Sequence, residues 1–211
     1  MSDTRPTRER LLEAAMRLFG ERGYKETTVA QIEAAVGLSP GSGSLYKHFS
    51  SKEALLAEGV EALLADRAEL RQALEPSDAP RRGNIAEVQA LLQLVAAAGL
   101  RRMERDRYIN LLLFRGLQDF PDLLARYRDG EITANHEAVA ALLSSLADDQ
   151  SADRDWPAIA AVLVGATAHY WLLTDLFGNH PSGVDEERYT HAAALLASCL
   201  LAGPDPPRVT R

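Results

Sequence analysis

Residues 37–49 read GLSPGSGSLYKHF, and the fold turns on how the first five of them are understood. Gly37-Leu38-Ser39-Pro40-Gly41 fits G-x-S-x-G, the nucleophile elbow of a hydrolase, in which a strained turn lifts a serine above a sheet. The same residues also suit the turn between two short helices of a DNA-binding unit. The elbow requires a strand before the serine, yet Val29, Ile32 and Val36 recur at i, i+3 and i+7, the spacing of one helical face. It requires an oxyanion donor from the backbone N–H of the residue after the nucleophile, and that residue is Pro40, which has no N–H. It also requires a sheet, whereas no stretch of the chain alternates with period two between turn signals. Ser39 is not a nucleophile on this reading.

Helical patterns extend outward in both directions. Leu11, Ala15, Leu18 and Arg22, with Leu12 and Phe19 beside them, set an apolar stripe that Gly23 stops. Thr27 or Thr28 can cap the next helix, and Gly37 ends it. After the quoted stretch, Ser51 precedes a long run in which Leu56, Val60, Leu63, Arg67 and Leu70 share a face. EPSDAPRRGN, residues 75–84, reads as a loop. Further helices are expected over about 85–104, 105–118, 121–147, 155–177 and 186–202, with Pro121 and Pro157 in first turns. The chain reads as all-α, without a fixed-period repeat.

With 211 residues, 46% hydrophobic and 25% charged, the chain has the composition of an ordinary soluble protein, one domain or a small one fused to a larger. A single cysteine, Cys199, rules out an internal disulfide and fits a reducing cytoplasm. No signal-peptide core follows Arg5, Arg8, Glu9 and Arg10. The apolar run from Pro157 to Phe177 is about long enough to span a bilayer. His169 and Asp175 interrupt it, so it reads instead as a helix buried on nearly all sides, within an oligomer. Net charge is −7, but residues 1–52 carry eight Lys/Arg against six Asp/Glu: a mildly basic head on an acidic body, one end of which meets an anionic partner.

The helix-turn-helix reading explains the quoted stretch. The second helix of such a pair enters a major groove with its N-terminal residues on base edges. Ser42, Gly43 and Ser44 let backbone approach DNA closely, and the serine hydroxyls can bond bases or phosphates. Tyr46, Lys47 and His48 place three donors within one turn, and Lys52 opens the next helix, where free N–H groups also favour an anion. Phe49 has no polar handle and reads as core.

Residues 8–56 resemble the DNA-binding head of the TetR/AcrR family of transcriptional regulators. The matching elements are R-x-x-L-L-E-A-A-x-x-L-F-x-E-x-G-Y (Arg8–Tyr24), T-T-V-A-Q-I-E-A-A-V-G-L-S (Thr27–Ser39) and L-Y-K-H-F-S-S-K-E-A-L-L (Leu45–Leu56). The family's commoner turn, G-V-S-x-G-x-L-Y, is two residues shorter than Gly37–Tyr46. The resemblance implies a homodimer of nine or ten helices per chain, three of them for DNA at residues 1–51. A regulatory and dimerisation body follows at 52–203, and 204–211 is expected as a disordered tail. It implies phosphate contacts from Thr28, Tyr46, His48 and Lys52, and base contacts from Ser42, Gly43, Ser44 and Lys47.

For the body, residues 85–180 are expected to build a largely apolar ligand pocket between helices. Its candidate lining is Met103, Tyr108, Leu112, Arg115, Gln118, Phe120, Tyr127, His169, Tyr170 and Leu173. Arg115 lies near an apolar face, where an unpaired charge would be costly; a ligand carboxylate or a partner such as Asp119 or Asp175 would each satisfy it. Ala158, Ala161, Gly165 and Ala168 form a small-residue stripe, and Ala192, Leu195, Leu196, Cys199 and Leu200 an apolar face on the last helix. Two such helices from each protomer make a four-helix bundle about a two-fold axis. His136, His169, His180 and His191 lack ligand spacing, and His180 with Asp185 falls across a loop, so neither metal nor cofactor is expected. His169 reads as meeting a polar need inside a buried helix. The expectation is a cytoplasmic, ligand-responsive repressor released from a pseudo-palindromic operator by a small apolar effector. The alternatives are a regulator of the same fold without an effector, and an enzyme, for which no nucleophile–base pair can be assembled.

Overall fold

A computed structural model describes residues 5–73, 84–147, 151 and 153–201, with backbone alone for 66–73. Among the described residues there are nine α-helices and no strand, the all-α class that the periodicity predicts. They are α1 (Thr7–Arg22), α2 (Val29–Ala35), α3 (Lys52–Ala73), α4 (Ile85–Arg105), α5 (Arg107–Arg115), α6 (Pro121–Tyr127), α7 (Ala134–Leu146), α8 (Trp156–Phe177) and α9 (Glu186–Leu201). Most of the expected loop at 75–84, the expected tail at 204–211 and the side chains of Arg67 and Leu70 lie outside the described residues. The chain forms two compact units, Met1–Glu75 with Asp106–Ile132, and Pro76–Arg105 with Thr133–Arg211.

In the first unit, Leu11, Ala15, Leu18 and Phe19 of α1 bury their stripe against Ile32 and Val36, Leu45 and Phe49, Leu55, Leu56 and Val60 of α3, and Ile109 and Leu112 of α5. Phe49 is core, as its lack of a polar handle requires. Two glycines let helices touch. A Cβ at Gly20 would collide with the Tyr108 carbonyl, so the α1 and α5 backbones meet there; at Gly59 it would collide with the Met16 side chain at its sulfur. α1 ends at Gly23, whose φ of +92° favours glycine.

The helix expected over 121–147 is broken. α6 passes through a π-helical segment, Arg128–Thr133, into α7. That segment reads RDGEIT and places Gly130 against Leu64, where a side chain would be crowded. Likewise α5 stops at Gly116 (φ +146°), and Leu117–Asp119 make a 3₁₀ turn before Pro121 opens α6.

In the second unit, Val88 and Leu92 of α4, Ala140, Leu143 and Leu146 of α7, Trp156 and Ala160 of α8, and Ala194, Ala197 and Leu201 of α9 form one core cluster. Leu100, Tyr170 and Trp171 form another. There Tyr170 stacks on Tyr189 (4.1 Å) and His180 (5.0 Å) and donates its hydroxyl to the Val184 carbonyl at 3.0 Å. α8, expected to be buried within an oligomer, has 17% of its most apolar window buried within one chain.

Candidate nucleic-acid interface

The interface grows from two threonines with different tasks. Thr27 is fully buried and donates its hydroxyl to the Gly23 carbonyl (2.9 Å), with the Leu18 carbonyl 3.1 Å away, so it ties the α1–α2 connection down. Thr28 is the cap: its Oγ1 accepts from the Gln31 N–H, and Gln31 Oε1 accepts from the Thr28 N–H at 2.8 Å, a complete capping box. The Thr28 hydroxyl is exposed at the N-terminus of α2, where a phosphate is favoured.

α2 closes in a Schellman arrangement at Gly37 (φ +75°), with the Gly37 N–H on the Ala34 carbonyl and the Leu38 N–H on the Glu33 carbonyl. The next segment departs from the expected short helix. Gly41 and Gly43 are left-handed at φ +75° and +73°, so regular structure is restricted to one 3₁₀ turn, Ser44–Lys47. Leu45 and Phe49 anchor that turn in the core. The other faces point out: Tyr46 is 56% exposed, Ser42, Lys47 and His48 are exposed, and Gly43 and Ser44 are half-buried. Ser42 and Ser44 bond through their hydroxyls at 2.8 Å.

Lys52 is more constrained than the sequence implies. Its Nζ donates to the Tyr24 and Thr27 carbonyls, both at 2.9 Å, and lies 4.1 Å from the centre of the Tyr24 ring. Burial lowers its pKa from the ordinary lysine value. Two of the three ammonium N–H groups are thus taken by backbone carbonyls, one of them that of the residue preceding the Thr28 cap. Two cations passed over in the sequence are also engaged. The Arg8 guanidinium sits 4.9 Å from the Phe49 ring centre and pairs with Glu58, while Arg10 donates to the Val36 carbonyl at the end of α2.

Sequence reasoning missed Glu33. It is fully buried, and its two carboxylate oxygens accept from the Gly41 N–H (2.8 Å) and the Leu45 N–H (3.0 Å). The available signal was a lone acid next to Ile32 in a short apolar-faced helix that enters a glycine-rich turn.

The pocket candidates divide between the units. Met103, His169, Tyr170 and Leu173 belong to the second; Tyr108, Leu112, Arg115, Gln118, Phe120 and Tyr127 belong to the first. Leu112 and Tyr127 are buried in the core, and Phe120 meets Tyr24 edge-on at 4.6 Å. Gln118 and Tyr127 come together, with Leu113, Leu124 and Arg128, at a cavity of about 390 Å³ between α5 and α6. Arg115 donates to the Gly20 and Glu21 carbonyls at the C-terminal end of α1, where a cation suits the helix dipole; Asp119 instead pairs with Lys25 at 2.9 Å. His169 is exposed on α8 rather than enclosed. In the second unit Ala158, Ala161, Gly165, Ala192, Leu195, Leu196 and Cys199 are exposed, and Ala168 and Leu200 half-buried.

Comparison with known proteins gives this geometry a family. The sequence model described as "Bacterial regulatory proteins, tetR family" matches residues 11–58. The HTH-type transcriptional repressor KstR2 of Rhodococcus jostii is 48% identical over 59 residues, 28% of this chain and 28% of that protein. The HTH-type transcriptional regulator TcmR of Streptomyces glaucescens is 33% identical over 126 residues, 58% of this chain and 53% of that one. The chain thus spans about a quarter of the first relative's length and about half of the second's. Among solved structures, the fatty acid degradation regulator FadR from Bacillus halodurans superimposes with a TM-score of 0.63 at 16% identity, covering 95% of this chain and 97% of its own. A TetR-like transcriptional regulator from Rhodococcus sp. RHA1 does so with a TM-score of 0.61 at 25% identity, covering 94% and 96%. With its capped α2, glycine-rich turn and outward Tyr46, the segment at residues 11–58 matches the TetR family of bacterial regulatory proteins, and the whole all-helical chain superimposes on solved TetR-like regulators.

Proposed function

We propose that this protein is a homodimeric, cytoplasmic TetR-family repressor of transcription that leaves a pseudo-palindromic operator when a small, largely apolar effector binds. The observation that carries the reading is the outward face of the turn: hydroxyls at Ser42, Ser44 and Tyr46 and cationic or imidazole donors at Lys47 and His48, mounted on the buried anchors Leu45 and Phe49. Thr28, Tyr46, His48 and Lys52 hold phosphates, while Ser42, Gly43, Ser44 and Lys47 meet base edges. The repressor sense follows the named function of KstR2.

In functional terms residues 1–51 read DNA and 52–203 respond and dimerise. An effector site is supported by the cavity at Leu113, Gln118, Leu124 and Tyr127, apolar with few polar groups. It lies in the same compact unit as the head. Arg115 on the end of α1, and Phe120 and Asp119 on Tyr24 and Lys25, are the contacts through which a rearrangement of α5 and α6 reaches the reading head. An effector preferring the rearranged state lowers operator affinity by its differential affinity for the two states. The exposed faces of α8 and α9 are covered by a second copy, which sets two heads on two half-sites. Footprinting on the DNA upstream of the protein's own gene tests this. Two protected half-sites about one helical turn apart, roughly 34–36 Å, are expected; uniform protection along the fragment would defeat the proposal.

A further inference from the structure

Glu33 presents a problem that packing alone does not solve. A fully buried carboxylate is costly unless hydrogen bonds compensate, and a negative charge beneath a surface meant for phosphates opposes binding. An apolar side chain would fill the same space more cheaply. What Glu33 does, and an apolar residue could not, is bind two backbone N–H groups that bracket Ser42, Gly43 and Ser44: Gly41 at 2.8 Å and Leu45 at 3.0 Å. Its own carbonyl also accepts from the Leu38 N–H at 2.9 Å. One residue of α2 therefore grips the turn at its entry, its middle and its end.

Within the bracketed segment stand Gly41 and Gly43, both at positive φ and free to take many conformations. Left alone, the turn would present the Ser42 and Ser44 hydroxyls in many places. Hydrogen bonds tolerate a donor–acceptor range of only about half an ångström, so reading a base edge demands a fixed turn. The stretch Gly37–Tyr46, two residues longer than the commoner family spacing, contains this bracketed segment.

We infer that Glu33 is the positioning residue for operator selectivity: its carboxylate clamps the Gly41–Leu45 turn so that the serine hydroxyls address base edges, without itself touching DNA. The inference rests on the DNA-binding reading. Because Glu33 acts on the turn and not on phosphates, its loss should degrade discrimination and leave the sequence-independent component intact.

The test uses the full chain and its Glu33→Gln variant, with affinities for the footprinted fragment and for a scrambled duplex across a salt series. Glu33→Gln keeps the shape but turns an N–H donor toward one of the two backbone N–H groups. Specific affinity is expected to fall at least tenfold, with scrambled-duplex affinity and the slope of log affinity against log salt unchanged. Wild-type discrimination in the variant, or an equal loss on both duplexes, would overturn the inference. If the variant does not fold, amide hydrogen exchange in the wild type decides: protected Gly41 and Leu45 amides support the clamp, and a Gly41 amide exchanging at the rate of a free loop overturns it. No fragment preference in the wild type itself would sink the DNA-binding reading, and this inference with it; preference with a discriminating variant sinks only the inference.

Discussion

At the scale of single residues, the head is held by polar groups that face inward. Lys52 illustrates it. Its ammonium joins the Tyr24 and Thr27 carbonyls and the Tyr24 ring, so Lys52→Ala removes two charge-assisted hydrogen bonds and a cation–π interaction. A loss of about 1–3 kcal/mol is expected in urea unfolding, whereas Lys47→Ala, on an exposed residue, should cost almost nothing. A second residue-scale expectation concerns Tyr189, whose pKa burial raises above the ordinary 10.0. The folded chain then keeps a proton that the unfolded chain gives up. The associated stability is present below pH 10 and lost as pH climbs through the folded value. Unfolding midpoints measured from about pH 9 upward should fall less steeply in Tyr189→Phe than in wild type. Side-chain chemistry made Tyr46, Lys47 and His48 legible in the sequence as outward donors. Glu33 and the inward ties of Lys52 were not, because a sequence shows a charge but not the carbonyl or N–H that will meet it.

At the scale of elements, most helices were legible because they obey period and punctuation: Gly23 and Gly37 as stops, Thr28 as cap, Pro121 and Pro157 in first turns. The failures have a common cause. The 3₁₀ turn at Ser44–Lys47 and the π segment at Arg128–Thr133 carry residues compatible with a helix, and their departure follows from local glycine geometry and packing. Helix contact through glycine is testable. In Gly20→Ala the new methyl meets the backbone of Tyr108, which cannot step aside, whereas in Gly59→Ala it meets the flexible side chain of Met16. Thermal unfolding should show Gly20→Ala losing about 1–3 kcal/mol and Gly59→Ala distinctly less. Equal losses would mean the α1–α5 crossing yields as easily as a methionine.

For the whole molecule, two observations concern assembly and activity. α8 is long and apolar enough to cross a membrane by length and composition, with Val162 at 70% exposure, and α9 exposes Leu195 and Leu196. If a second copy covers these faces, Leu196→Asp should shift the protein from dimer to monomer in sedimentation equilibrium while its far-ultraviolet circular dichroism stays helical. A variant that remains dimeric would place the interface elsewhere. The stripe was visible in the sequence, and the burial expected for α8 was burial within an oligomer; one chain alone leaves most of it uncovered, since periodicity records an apolar face without recording what covers it. Regulation by DNA binding is the central claim, and equilibrium binding of the purified protein to its upstream fragment, over a salt series, tests it most directly. The account expects a strong preference over scrambled DNA and a steep salt slope. Tyr46→Phe with Lys52→Ala should weaken binding and flatten that slope by about 0.9, because one phosphate no longer has a lysine to neutralise it. Equal affinity for both duplexes, or a slope the double substitution leaves untouched, would contradict it.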